Sequence, residues 1–71
     1  MESINEQLEK QKELLKNTDN LIDIIKTIHE IIYIFEELSE SQKATSLRVL
    51  LTQLELQNEA LISRMKGIIN E

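Results

Sequence analysis

The chain has 71 residues, a net charge of −5, no cysteine, no proline and a single glycine. Its length allows one small domain, and the shortage of proline and glycine leaves little material for the tight turns of a β-sheet. Without cysteine there is no disulfide or thiolate metal site, and the acidity disfavours nonspecific binding to nucleic acid or to an anionic membrane.

The first predicted helix begins after Ser3. Ser3 and Glu6 have the spacing of a capping box, in which the two side chains satisfy free amides of the first turn. Acidic and basic residues then alternate at helical spacing through residue 16, too densely charged for a secretory signal. The few apolar residues between them predict a helix with a narrow apolar seam.

The segment 21–38 is the most apolar of the chain. At about 100° per residue, nine apolar side chains fall within half of its helical circumference. They are Leu21, Ile24, Ile25, Ile28, Ile31, Ile32, Ile34, Phe35 and Leu38. One neighbouring helix covers a narrower seam than this, so the pattern predicts two neighbours. Because Asp23, Lys26 and Glu30 interrupt the segment, it does not read as a membrane span, and we expect a soluble, cytoplasmic protein.

Four polar residues at 17–20 precede this segment, and all four are poor helix formers and good caps. The first arm is therefore either one helix over 4–38, with a possible kink near 17–20, or two shorter helices. One continuous helix is favoured because it would align four apolar residues in one stripe along its surface. The stripe consists of Ile4, Leu8, Leu15 and Ile22. Such an arm would be about 50 Å long at 1.5 Å per residue, similar to the second half.

The second half repeats the capping-box spacing at Ser39 and Gln42, which places a turn at 39–41 and a helix at 42–69. Its apolar residues follow heptad spacing, at Leu47, Leu51, Leu54, Leu61, Met65 and Ile68, and the seam is widened by Leu50, Ile62 and Ile69. Asn58 occupies the one polar position of that seam, where a buried amide fixes register and partner number. The fold class predicted is all-α, a long antiparallel helical hairpin forming one domain over 1–71.

The apolar surface exceeds what one hairpin seam covers. A single core in a chain this short supplies only about 3–5 kcal/mol, so we expect self-association into a helical bundle, most simply a dimer. The predicted interface, with itself or with another protein, comprises Ile4, Leu8, Leu15, Ile22, Ile28, Ile32, Phe35, Val49, Leu56 and Asn58. Val49 and Leu56 are included because they lie seven residues apart on the back of the second helix.

No pattern for catalysis is present. His29 has no second metal ligand at helical spacing, and a two-helix chain offers no pocket, so we expect no enzyme, metal or cofactor. In a hairpin folded near residue 39, Lys12 and Lys16 would lie near Arg64 and Lys66, a possible anion contact.

Three functions fit these features. The first is a non-enzymatic helical interaction protein that self-associates and acts as an adaptor or inhibitor by binding another protein. The second is a helical oligomer that binds a phosphorylated small molecule or RNA at its basic end. The third is a coiled-coil subunit of a larger hetero-complex, unable to fold alone.

Overall fold

The computed structural model describes residues 3–54 and 58–71. Within these residues it has four helices and no strand: α1 (Ile4–Asn17), α2 (Leu21–Glu37), α3 (Ser41–Thr52) and α4 (Glu59–Ile69). α1 packs against α2, α2 against α3, and α3 against α4. The all-α class is therefore confirmed, whereas the long hairpin is not, because both of its arms are broken.

Helix α1 begins where the sequence predicts, with the Ser3 half of the predicted capping box. The Ser3 hydroxyl accepts a hydrogen bond from the Glu6 amide and donates one to Glu6 Oε1, each at 3.2 Å. Leu8 and Leu15 are buried while Leu14 is 52% exposed. The narrow apolar seam predicted for this segment is thus confirmed.

The predicted continuous helix over 4–38 is wrong, since α1 ends at Asn17 and α2 begins at Leu21. Asn20 Oδ1 accepts hydrogen bonds from the amides of Ile22, at 2.9 Å, and Asp23, at 3.3 Å. Local side-chain bonds of this kind compete with helical continuity. The longest dimension of the structure is 35 Å, well short of the about 50 Å that an unbroken arm requires.

The predicted continuous helix over 42–69 is wrong for the same reason. α3 ends at Thr52, and Asn58 is the N-cap of α4, its Oδ1 accepting from the amides of Ala60, at 3.0 Å, and Leu61, at 3.3 Å. Asn58 is exposed, so its predicted role as a buried amide in a heptad seam is also wrong. Asparagine is a favoured N-cap residue because its side-chain oxygen accepts hydrogen bonds from the free amides of the first turn. Asn58 has this role in α4.

The α2–α3 turn occupies residues 38–40 rather than the predicted 39–41. The Glu40 amide donates to the Phe35 carbonyl at 2.8 Å and the Ser39 amide to the Glu36 carbonyl at 3.2 Å. With Ser39 in the left-handed region at φ 61°, this is a Schellman motif. Ser39 therefore ends α2 instead of capping α3, and the predicted capping box with Gln42 is wrong. The N-cap of α3 is Glu40, whose side chain makes no capping bond.

Helix α2 provides the centre of the core. The buried apolar residues are Leu8 and Leu15 of α1; Ile24, Ile28, Ile31, Ile32, Ile34 and Phe35 of α2; Ala44 and Leu47 of α3; and Ile62, Met65 and Ile69 of α4. The two neighbours predicted for α2 are confirmed as α1 and α3. Buried Thr27 is satisfied, because its hydroxyl donates to the Asp23 carbonyl at 2.7 Å. An ion pair between Glu36 and Arg48, at 2.6 Å, joins α2 to α3 at the surface.

The heptad seam of the second half is confirmed only in part. Leu47 and Met65 are fully buried, but Leu61 and Ile68 are half-buried while Ile62 and Ile69 lie in the core. α4 starts anew at its own cap, so its rotation about its axis is independent of α3. The apolar residues of α4 therefore face the core with a different phase from the one that a continuous helix would impose.

Candidate functional site

Half of the predicted interface lies inside the chain's own core. Leu8, Leu15, Ile28, Ile32 and Phe35 are buried, and Ile4 is partly buried against them. In this fold, therefore, these side chains are covered without a partner. Ile22 and Val49 are 64% and 50% exposed, Asn58 is exposed at its cap, and Leu56 lies outside the described residues.

Val49 lines a groove between α3 and α4, which we call the α3–α4 groove. Its volume is about 350 Å³, and it is bordered by Thr45, Ser46, Val49 and Leu50 from α3 and by Arg64 and Ile68 from α4. Residues four apart share a helix face, so each helix contributes one continuous face. Val49, Leu50 and Ile68 form an apolar floor that is open to solvent.

Arg64 is the charged residue at the edge of the α3–α4 groove. In the part of the chain that the structure describes, Arg64 takes part in no ion pair. An arginine guanidinium can bind a carboxylate with two parallel hydrogen bonds. Residues 1–40 have four basic and ten acidic side chains, net −6, whereas residues 41–71 have four basic and three acidic, net +1. The α3–α4 groove therefore belongs to the half of the chain that is not acidic.

The predicted basic cluster forms only in part. Lys12 and Lys16 of α1 and Lys66 of α4 border a second groove of about 410 Å³ between these helices. Arg64 is not among them, because α4 turns it toward the α3–α4 groove. Glu9 and Glu13 border the same space, and Glu9 Oε1 lies 3.7 Å from Lys12 Nζ. The result is a groove of mixed charge, with two carboxylates among three ammonium groups.

A third surface is the outer face of α2, where four exposed residues follow 4,3,4 spacing. We call it the outer stripe, and it consists of Ile22, Lys26, His29 and Tyr33. Tyr33 is 69% exposed and Ile22 64%. His29 and Tyr33 are both exposed and lie on the side of α2 opposite to the core.

Sequence reasoning missed the α3–α4 groove, because it treated this half as one helix. Thr45, Ser46, Leu50 and Ile68 were not predicted as site residues. The available signal was Asn58 followed by Glu59 and an apolar run, which is the pattern of a helix start. Because Asn58 also fits the heptad spacing, this helix start was not recognised from the sequence.

Two further properties bear on the kind of site. Across residues 3–54 and 58–71, no three side chains of the metal-ligating types lie close enough together to hold an ion. No helix in those ranges is both long and apolar enough to cross a membrane.

No protein-family model, curated protein or solved structure matches the chain. The surfaces described above are therefore the basis for inferring its function.

Proposed function

We propose that the chain is a small non-enzymatic interaction protein, an adaptor or inhibitor, that binds an acidic amphipathic helix of another protein in the α3–α4 groove. The observation that carries this proposal is Val49, half-exposed beside Leu50 and Ile68 with Arg64 at the edge. An apolar floor between two helices suits the helix-in-groove mode, in which a target inserts side chains spaced three and four apart.

The charge distribution supports an acidic target. A carboxylate on the target would pair with Arg64, and the hydroxyls of Thr45 and Ser46, which border the groove from α3, offer hydrogen bonds. The net charge of −6 on residues 1–40 repels an acidic helix from α1 and α2. Orientation and specificity would thus come from charge, while affinity would come from the apolar floor.

The two other hypotheses have weaker support. A phosphorylated ligand between α1 and α4 would meet Lys12, Lys16 and Lys66 together with Glu9 and Glu13, and the two carboxylates oppose an anion. A subunit unable to fold alone would leave its apolar residues uncovered, whereas each of the helices α1 to α4 contributes buried apolar residues to one core.

Selection from a displayed library of helical peptides tests the proposal. Binders are selected on the wild-type chain and compared on Val49→Glu. We expect enriched peptides to have an apolar stripe flanked by Asp or Glu, and Val49→Glu to weaken their binding at least about tenfold, equivalent to about 1.4 kcal/mol. Arg64→Glu should shift the selection toward basic flanks.

Leu14→Glu is the matched control. Leu14 is as exposed as Val49, 52% against 50%, but lies on α1, so the same change introduces the same charge outside the α3–α4 groove. Its binding should equal that of the wild type. Peptides that bind Val49→Glu undiminished, or that are enriched in Lys and Arg on the wild type, would contradict the proposal.

A further inference from the structure

The outer stripe is an uncovered seam on the helix that organises the core. At 100° per residue its four members fall within an arc of about 60°. Ile31, fully buried, lies opposite the middle of that arc. A heptad-like 4,3,4 pattern with an exposed isoleucine at one end and an exposed tyrosine at the other has the spacing of a helix–helix contact. α1 and α3 occupy the other side of α2 and leave the stripe free.

We infer that a second copy of this chain covers the outer stripe, by antiparallel pairing of α2 with α2 about a twofold axis between residues 27 and 28. Each position then faces its mirror position across that point. Ile22 meets Tyr33 of the second copy, and Tyr33 meets Ile22 of the second copy. A twofold contact of this kind is self-complementary and closes as a dimer. The apolar ends of the stripe are thereby covered together.

Charge selects the antiparallel direction. Lys26 and Glu30 lie on the same flank of the stripe, and no ion pair in the described ranges uses either one. Antiparallel pairing places Lys26 opposite His29 of the second copy and, one residue further along the same flank, beside Glu30 of the second copy, twice per dimer. Parallel pairing would instead place the two Lys26 side chains at the same height and the two Glu30 side chains on opposite sides of the contact, so that neither charge would lie beside its opposite. The pairing of opposite charges on adjacent helices therefore favours the antiparallel arrangement.

Two features limit the strength of this dimer. The contact joins one face of one helix to its copy, which lies at the small end of the range of protein interfaces. Residues 1–40 are also net −6 in each copy, a repulsion that is reduced when salt shortens the Debye length to about 8 Å at physiological ionic strength. We therefore expect the dimer fraction to rise with protein concentration, and the association to be stronger at physiological salt than at low salt.

Cysteine pairing tests both the partner and the direction. The chain has no cysteine, so Ile22→Cys and Tyr33→Cys each introduce a single thiol at an exposed position. Mixed in equal amounts and oxidised, the two variants should form the mixed disulfide dimer well above its statistical half share. Like pairs are disfavoured, because antiparallel pairing separates equivalent thiols by eleven residues, about 16 Å, beyond the about 7 Å that a disulfide spans between Cα atoms.

Mass spectrometry distinguishes the three disulfide products. A mixture of Val49→Cys and Tyr33→Cys is the control and should give the statistical ratio, since Val49 lies on α3. An excess of like pairs would indicate parallel pairing, and a statistical ratio for the test mixture would indicate random collision. Either result overturns the inference.

Sedimentation equilibrium supplies an independent measurement. At physiological salt, the wild type should pass from monomer to dimer between low and high micromolar concentration, and Ile22→Glu with Tyr33→Glu should remain monomeric with unchanged helicity. A wild type that stays monomeric throughout would also overturn the inference. Val49→Glu should dimerise normally, so a failure here is separate from a failure of peptide binding in the α3–α4 groove.

Discussion

The two helix breaks use the same residue type and have different consequences. Asn20 and Asn58 each accept hydrogen bonds from the second and third amides of the helix that follows. After Asn20, the broad apolar face of α2 is covered on two sides by α1 and α3. After Asn58, α4 buries Ile62, Met65 and Ile69 but leaves Ile68 half-covered beside Val49. The cap fixes where a helix starts, and the phase of its apolar residues from that start decides whether a groove remains.

The largest expected effect tests whether the two halves form one cooperative unit. Ile28 of α2 and Met65 of α4 are fully buried in the same core. Replacing either by Ala should lower the free energy of unfolding by about 2–5 kcal/mol in a single urea transition. Circular dichroism and Tyr33 fluorescence should therefore give the same midpoint for each variant. Two separate transitions would show that α3 and α4 unfold apart from α1 and α2.

The two caps should be energetically equivalent. Asn20→Ala and Asn58→Ala should each lower the free energy of unfolding by about 1 kcal/mol, measured by urea denaturation. Asn58→Leu also removes the cap and should destabilise, whereas an asparagine buried in a seam would give the opposite sign. Asn20→Asp and Asn58→Asp retain an acceptor and should remain close to the wild type. If Asn58→Leu instead raised the free energy of unfolding, Asn58 would be a buried seam residue and not a helix cap.

Smaller effects are expected at two positions where the residue type does not suit the local backbone conformation. Ser39 has a left-handed conformation that glycine adopts without strain. Gly67 lies inside α4, and a Cβ added there meets no atom within 4 Å. Ser39→Gly and Gly67→Ala should each raise the free energy of unfolding by about 0.5–1 kcal/mol. The thermal midpoint measures both, and Ser39→Ala, which keeps a Cβ at the same φ, should give no gain.

The sequence was most informative where one physical effect dominated. The width of the apolar face of α2 indicated two neighbours, and the Ser3–Glu6 spacing indicated the start of α1. It was misleading where apolar periodicity ran through a cap, as in the stripe that assigned Ile22 to the same face as Leu15. Apolar periodicity describes how side chains are arranged around one helix axis. It does not indicate where that helix ends and a new helix, with a different axis, begins.

The α3–α4 groove was beyond such reasoning for a different reason. It depends on the relative placement of α3 and α4, which brings Val49 near Arg64 and Ile68 although 15 and 19 residues separate them in the chain. Only the cap at Asn58 was available in the sequence. The pairing of Lys12 and Lys16 with Lys66 was anticipated from a hairpin that does not form, and it arises instead from the packing of α1 near α4.

Each helix packs against the next one along the chain, and this order has a kinetic consequence. The connection between α1 and α2 and the turn between α2 and α3 are short, so little loop-closure entropy opposes their first contacts. Helical domains dominated by such local contacts fold within microseconds to milliseconds. The approach of α1 to α4, where Lys16 and Lys66 border one groove, joins the most distant parts of the chain. Its closure is therefore the step whose rate should respond most to the length of the connections.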